Sequence, residues 1–103
     1  MGEKEIKVIL KKYARELNKH IQFKKIILFG SYARGTASKD SDIDTAVIVR
    51  NVKGDFLEAS ALLWRVAADV DFRIEPILIE EKLDKTDFFE NILKYGKIIA
   101  ANN

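Results

Sequence analysis

The sequence predicts an α/β fold (α+β by stricter usage): a small mixed β-sheet with helices mainly on one face. Three observations carry this. Two short runs of bulky and β-branched residues, Ile26–Phe29 and Ala46–Val49, are bounded by Gly, Ser or Asp and read as buried strands. Residues 4–21 and 55–68 instead repeat apolar side chains at spacings of three and four, the pattern of a helix with one buried face. A third run, residues 70–79, alternates Asp71, Arg73 and Glu75 with Phe72 and Ile74, as a half-buried strand does.

At 103 residues the chain has the length of one domain, expected to span residues 1–103. An apolar share of 48% beside a charged share of 33% describes a globular protein with one core. There is no cysteine, which excludes disulfides and thiolate metal sites and permits a cytoplasmic location. No apolar run approaches the ~20 residues of a membrane span, so no membrane role is expected. Positive charge is concentrated early: residues 1–25 carry eight Lys or Arg against three Glu. Such a segment is either the solvated face of a surface helix or a contact for nucleic acid or an acidic partner.

In chain order, Ile6, Ile9, Leu10, Tyr13, Ala14, Leu17 and Ile21 form the buried stripe of the first helix, with Lys4, Lys7, Lys11 and Arg15 toward water. His20, the one histidine, lies near its end without a second His or Cys, so a metal role is not expected. Strands follow at residues 24–29 and 42–50. Gly54 and Asp55 are start signals for the second long helix, with Asp55 as N-cap and Trp64 in its apolar stripe, read as core. A strand reached from its predecessor through a helix lies parallel to it, so residues 70–79 should run parallel to residues 42–50. Pro76 donates no ladder hydrogen bond and places that strand at an edge or at an irregularity. A last helix runs from Thr86 to Tyr95, breaks at Gly96, and leaves a short apolar tail docked on the body.

Chemistry concentrates between the first two strands. Gly30 permits a sharp turn, Ser31 opens about one helical turn, and the N–H groups at such a start, with a hydroxyl beside them, suit a phosphate. Ten residues after Ser31 come Asp42 and Asp44, at i and i+2 of the second strand and so on one face. Paired carboxylates repel unless a cation lies between them, and hard oxygen ligands favour Mg²⁺. Gly30-Ser31 ends one strand and Asp42 and Asp44 begin the next; one shared site requires the two strands to run antiparallel.

Gly30-Ser31, ten residues, then Asp42-Ile43-Asp44 resembles the signature of the DNA polymerase β-like nucleotidyltransferase superfamily. The fuller stretch LFGSYARGTASKDSDIDTAVIV is similar to its minimal nucleotidyltransferase (MNT) branch. The local match covers residues 26–49, and the element order fits nearly the whole chain. The resemblance implies the polymerase β-like nucleotidyltransferase fold and transfer of a nucleoside monophosphate, AMP from ATP, to a hydroxyl with release of pyrophosphate. It implies that Asp42 and Asp44 hold Mg²⁺, two ions where a two-metal scheme operates. Gly30 and Ser31 would receive the terminal phosphates, and Arg34 and Lys39 would supply further positive charge or stand as exposed loop cations. The MNT branch is often the antitoxin half of a pair with a helical HEPN-type toxin, and in such pairs it can attach AMP to a tyrosine of that partner; the resemblance implies this pairing here.

A third carboxylate completes such sites, and two candidates stand open. Asp71, between Val70 and Phe72, fits the family context by residue type. Glu75, within Ile74-Glu75-Pro76-Ile77, fits better by its distance to the closing helix and is slightly preferred as the third metal ligand. Two functional alternatives also stand: a contact-only antitoxin with a vestigial metal site, and a nucleotidyltransferase acting on nucleic acid through the basic first helix. A homo-oligomer is open as well.

Overall fold

The computed structural model describes residues 2–102, and eight elements follow in order. They are α1 (Glu3–Asn18), β1 (Lys25–Leu28), α2 (Ser31–Arg34), β2 (Ile43–Val49), α3 (Phe56–Val70), β3 (Ile74–Glu80), α4 (Asp87–Tyr95) and β4 (Lys97–Ala101). The sheet order is β3-β2-β1-β4. β1 pairs antiparallel with β2 and with β4, and β2 pairs parallel with β3. The mixed sheet, the antiparallel β1–β2 pair and the parallel β2–β3 pair are therefore as the sequence implies. β3 is an edge strand, which accommodates Pro76.

Two cores flank the sheet. On one face α1 and α3 pack Ile6, Leu10, Leu17, Leu63 and Ala67 against Ile26, Leu28, Ile43, Val47 and Ile74. Fully burying such side chains contributes about 1.5–3 kcal/mol each. Tyr13 is buried among them, and its hydroxyl donates to the Leu63 carbonyl at 3.0 Å, joining the two helices. On the other face α4 sets Phe89 and Ile92 on Ile27, Ala46, Ile48 and Ile79. Helices thus lie mainly on one face, with a single short helix covering part of the other.

Local signals fix the helix starts. The Asp55 carboxylate accepts from the Leu57 and Glu58 N–H groups, and the Thr86 hydroxyl accepts from the Phe89 N–H. Such caps contribute about 1 kcal/mol apiece.

The structure corrects four readings. α3 continues to Val70, so the third strand begins at Ile74 and not at residue 70; Phe72 lies in the turn and is 85% exposed. Trp64 is half-exposed and not core, because α3 buries the Leu63, Val66 and Ala67 face. Residues 97–101 form a fourth strand where a docked tail was expected. Gly96 lets α4 turn directly into it: a Cβ there would stand 2.4 Å from Ile27 Cγ2 and 2.6 Å from the Ile92 carbonyl oxygen. α1 ends at Asn18, leaving Ile21 to pack on the core from the connecting turn.

Candidate active site

Antiparallel pairing brings the end of β1 to the start of β2. Leu28 stands opposite Thr45, and the Phe29 N–H donates to the Asp44 carbonyl at 3.0 Å. Gly30 comes next, with φ 74° and ψ −149°, a region open essentially to glycine alone. A Cβ at Gly30 would lie 2.2 Å from Asp44 Oδ2. Glycine is thus required twice, by the turn and by the close approach of the acid. The backbone then winds one turn, Ser31–Arg34, closed by Gly35 in the left-handed region. No side chain caps that turn, and the leading N–H groups of a helical turn have no intrahelical acceptor.

The loop back to β2 is pinned from within. The Tyr32 hydroxyl donates to the Ser38 carbonyl at 3.2 Å, and the Ser38 N–H donates to Ser41 Oγ at 2.9 Å. Tyr32 therefore sets where the chain re-enters at Asp42, a part its sequence context did not announce. Lys39 sits on the exposed tip of this turn, and among the described residues no ion pair joins it to the acids. Arg34 is exposed too, but its guanidinium pulls on the Asp44 carboxyl.

Parallel pairing brings Glu75 alongside Asp44, its register partner. Burial, then the Asp42 charge, raises the Asp44 carboxyl above its ordinary pKa, against the opposing Arg34. Burial raises Glu75 as well, followed by the charges of Asp42 and Asp44 and a hydrogen bond with Asp42. The three carboxylates feel one another across one end of the sheet.

Asp71 is occupied elsewhere. Its carboxylate accepts from Arg73 Nε at 3.0 Å, from the second guanidinium nitrogen at 2.7 Å and from the Arg73 N–H at 2.9 Å. Those contacts hold Asp71 below its ordinary pKa.

Among the described residues, no three His, Cys, Asp or Glu side chains close into a cluster able to hold a metal ion unaided. Asp42, Asp44 and Glu75 nonetheless interact electrostatically. An open carboxylate edge of this kind fits Mg²⁺, which keeps several waters and takes substrate phosphates to complete its shell.

The sequence matches the nucleotidyltransferase domain family over residues 9–99. The chain belongs to that family, whose substrate is a nucleoside triphosphate. Two Methanocaldococcus jannaschii proteins bearing the name "putative protein adenylyltransferase" are similar to it. One is 29% identical over 96 residues, covering 89% of this chain and 96% of that protein. The other is 35% identical over 80 residues, covering 76% and 79%. A "putative nucleotidyltransferase" from Sulfolobus solfataricus shares the fold, with TM-score 0.70 and 17% identity over 95% of this chain and 82% of that one. So does a chain from the complex of a tri-AMPylated Shewanella oneidensis HEPN toxin with its MNT antitoxin, with TM-score 0.62 and 20% identity over 96% and 72%. A toxin–antitoxin structure with AMP-PNP aligns with TM-score 0.60 and 25% identity over 94% and 74%.

Proposed function

We propose that this protein is an MNT-type protein adenylyltransferase that moves AMP from ATP to a hydroxyl of a helical, HEPN-type partner and so acts as its antitoxin. The observation that carries the reading is the alignment of Gly30, Asp44 and Glu75, where a glycine turn abuts one acid and the sheet register sets another beside it. The names of the relatives and of the toxin–antitoxin neighbours support the adenylyl donor and the partner class.

In this reading Asp42, Asp44 and Glu75 hold Mg²⁺, which when bound neutralises charge on the triphosphate and lowers the pKa of the attacking hydroxyl. Gly30 and Ser31 receive the terminal phosphates through the N–H groups of the first turn, with Arg34 beside them. Lys39 serves only if its loop tip folds inward. The acceptor oxygen forms a bond to the α-phosphorus as the bond to pyrophosphate breaks, and the hydroxyl proton passes to a carboxylate. Glu75 is the carboxylate we assign to that step, because the β2–β3 register sets it opposite Asp44. Asp71 is left as a structural ion pair.

A contact-only antitoxin is the second reading. It is favoured by the exposed apolar stripe of Leu57 and Trp64 on α3, with Phe72 just beyond, a surface suited to a partner. The deciding experiment incubates the protein with labelled ATP, Mg²⁺ and a HEPN-type partner. Label on the partner that disappears in Asp42→Asn/Asp44→Asn supports transfer. Neutralisation of the partner that survives this double substitution, with no label, supports contact alone.

A further inference from the structure

The strands end far from the acids in a second concave surface. The start of β1, the end of β2 and the end of β4 meet there, beneath the C-terminal end of α1 and the first turn of α3. β2 has seven residues, so this pole lies roughly 20 Å from Asp42 at strand rise. A groove of about 880 Å³ opens at it. Its apolar floor includes Phe23, Val49 and Leu78. Its lining cations are Lys24, Arg50 and Lys53; the carboxylates beside the groove are Glu81, which feels Lys24 and Arg50, and Glu80, which accepts from the Val52 N–H at 3.0 Å. Lys24 is partly committed, donating to Glu81 at 2.9 Å. Arg50 and Lys53 are exposed, and among the described residues neither lies within 4 Å of a carboxylate, although the Arg50 charge reaches Glu81.

The rim is built. Asn102 Nδ2 donates to Asn18 Oδ1 at 3.1 Å and to the Phe23 carbonyl at 3.2 Å, tying the end of β4 to the end of α1. Gln22 and Asn51 also line the groove, and among the described hydrogen bonds their side chains form none, so their amides are open to a ligand.

We infer that this groove binds the phosphodiester backbone of a single-stranded nucleic acid, at a pole separate from the carboxylate edge. A concave surface that offers the exposed cations Arg50 and Lys53 beside open amides suits a flexible polyanion, and a volume of this size accommodates a few nucleotides. Phe23 is buried, so no exposed ring offers base stacking in the lining. Binding should therefore be sequence-tolerant, modest and strongly salt-dependent.

The test is fluorescence anisotropy of the whole chain with a labelled 12-nucleotide single-stranded RNA, in EDTA at low salt. EDTA silences metal-dependent nucleotide binding at the acids. Arg50→Ala/Lys53→Ala should weaken binding at least tenfold and flatten the log–log salt slope by about 1.4, at roughly 0.7 per lost phosphate contact. Both side chains are exposed, so the melting temperature should hold. Asp42→Asn should bind at least as well as the native chain. Single-stranded DNA of the same length should compete; ATP should compete only weakly, and poly-glutamate not at all. No binding at low salt, unchanged affinity in the Arg50/Lys53 variant, or equal competition by poly-glutamate would each overturn the inference. Competition by ATP as strong as by RNA would reassign the groove to free nucleotides.

Discussion

Asp71 and Glu75 are four residues apart, and the protein treats them in opposite ways. Asp71 ends α3 in a tight bidentate pair with Arg73, accepts the Arg73 N–H as well, and has its pKa lowered. Glu75 enters β3 opposite Asp44, has its pKa raised by burial and by two neighbouring carboxylates, and has no ion-pair partner among the described residues. A carboxylate supplied with donors supports a fold. One held among its own kind is unfavourable for the fold and is available to a cation or a proton. The contrast separates an acid that the fold uses from one that the proposed chemistry uses.

The largest expected effect breaks the comparison at Glu75. Glu75→Gln should slow adenylyl transfer roughly 10²–10⁴-fold, the scale of positioned acid–base help. ATP binding should be retained through Asp42 and Asp44. Asp71→Asn, assayed below its melting temperature, should stay within a few-fold of native. Single-turnover transfer with labelled ATP reads both, and exchanged outcomes would move the third-acid assignment to Asp71.

Gly30→Ala comes next, since it disturbs the acid edge without removing an acid. The left-handed φ costs about 1–3 kcal/mol for a non-glycine residue, and the new methyl must displace the Asp44 carboxylate. Denaturant unfolding should show a loss of that order, and ATP affinity should fall with it. Native affinity in a destabilised Gly30→Ala protein would detach Asp44 from nucleotide binding.

Much of this was legible in the sequence, and the reasons are physical. The Gly30-Ser31 turn and the Asp42/Asp44 pair announce themselves because strand alternation and glycine's backbone freedom are local rules. The parallel β2–β3 pair follows from the helix between the strands. What was missed depended on partners distant in sequence or on packing. Trp64 has the spacing of a core residue, but whether a helix face is covered depends on what packs there, and α3 buries its other side. Residues 70–73 alternate like a strand, yet α3 runs on to Val70, the Asp71 N–H closes it on the Ala67 carbonyl, and β3 waits until Ile74. β4 forms because β1 offers an open edge and Gly96 lets the chain reach it, neither of which a five-residue apolar run discloses. The choice between Asp71 and Glu75 stayed open for the same reason: it turns on register with Asp44.

Asp71→Asn sharpens the other half of the comparison. Both side chains of the pair are largely buried, with 15% exposure for Asp71 and 17% for Arg73. Removing the Asp71 charge weakens the charge-assisted hydrogen bonds it accepts from Arg73, which should lower stability by about 1–3 kcal/mol at pH 7. Because the folded pKa of Asp71 lies below its unfolded value, the native contribution is present above the unfolded pKa and is lost as pH falls through the folded one. The deficit of Asp71→Asn, measured by thermal unfolding, should therefore shrink in acid. A deficit independent of pH would mean that the change acts through packing alone.

The smallest effect has the opposite sign. Asp44 and Glu75 have folded pKa values above their unfolded ones, so the folded chain binds protons more tightly at these sites. Their ionised forms oppose folding at neutral pH, and that opposition fades as pH falls through the folded pKa values. Asp42 is a source of the repulsion at both sites and is itself exposed. Replacing it with Asn keeps the shape and removes the charge. In EDTA at pH 7, Asp42→Asn should melt slightly above the native chain. A gain of about 0.2–0.5 kcal/mol, the scale of exposed charge pairs, corresponds to about 1–3 °C for a domain of this size. The gain should vanish in acid, where the carboxyls are protonated in both proteins. Added Mg²⁺ should reverse the order, because a cation that binds only the folded state stabilises whichever protein holds it better. A native chain more stable than Asp42→Asn in EDTA at pH 7 would place Asp42 among the supports of the fold and undo its pairing with Glu75.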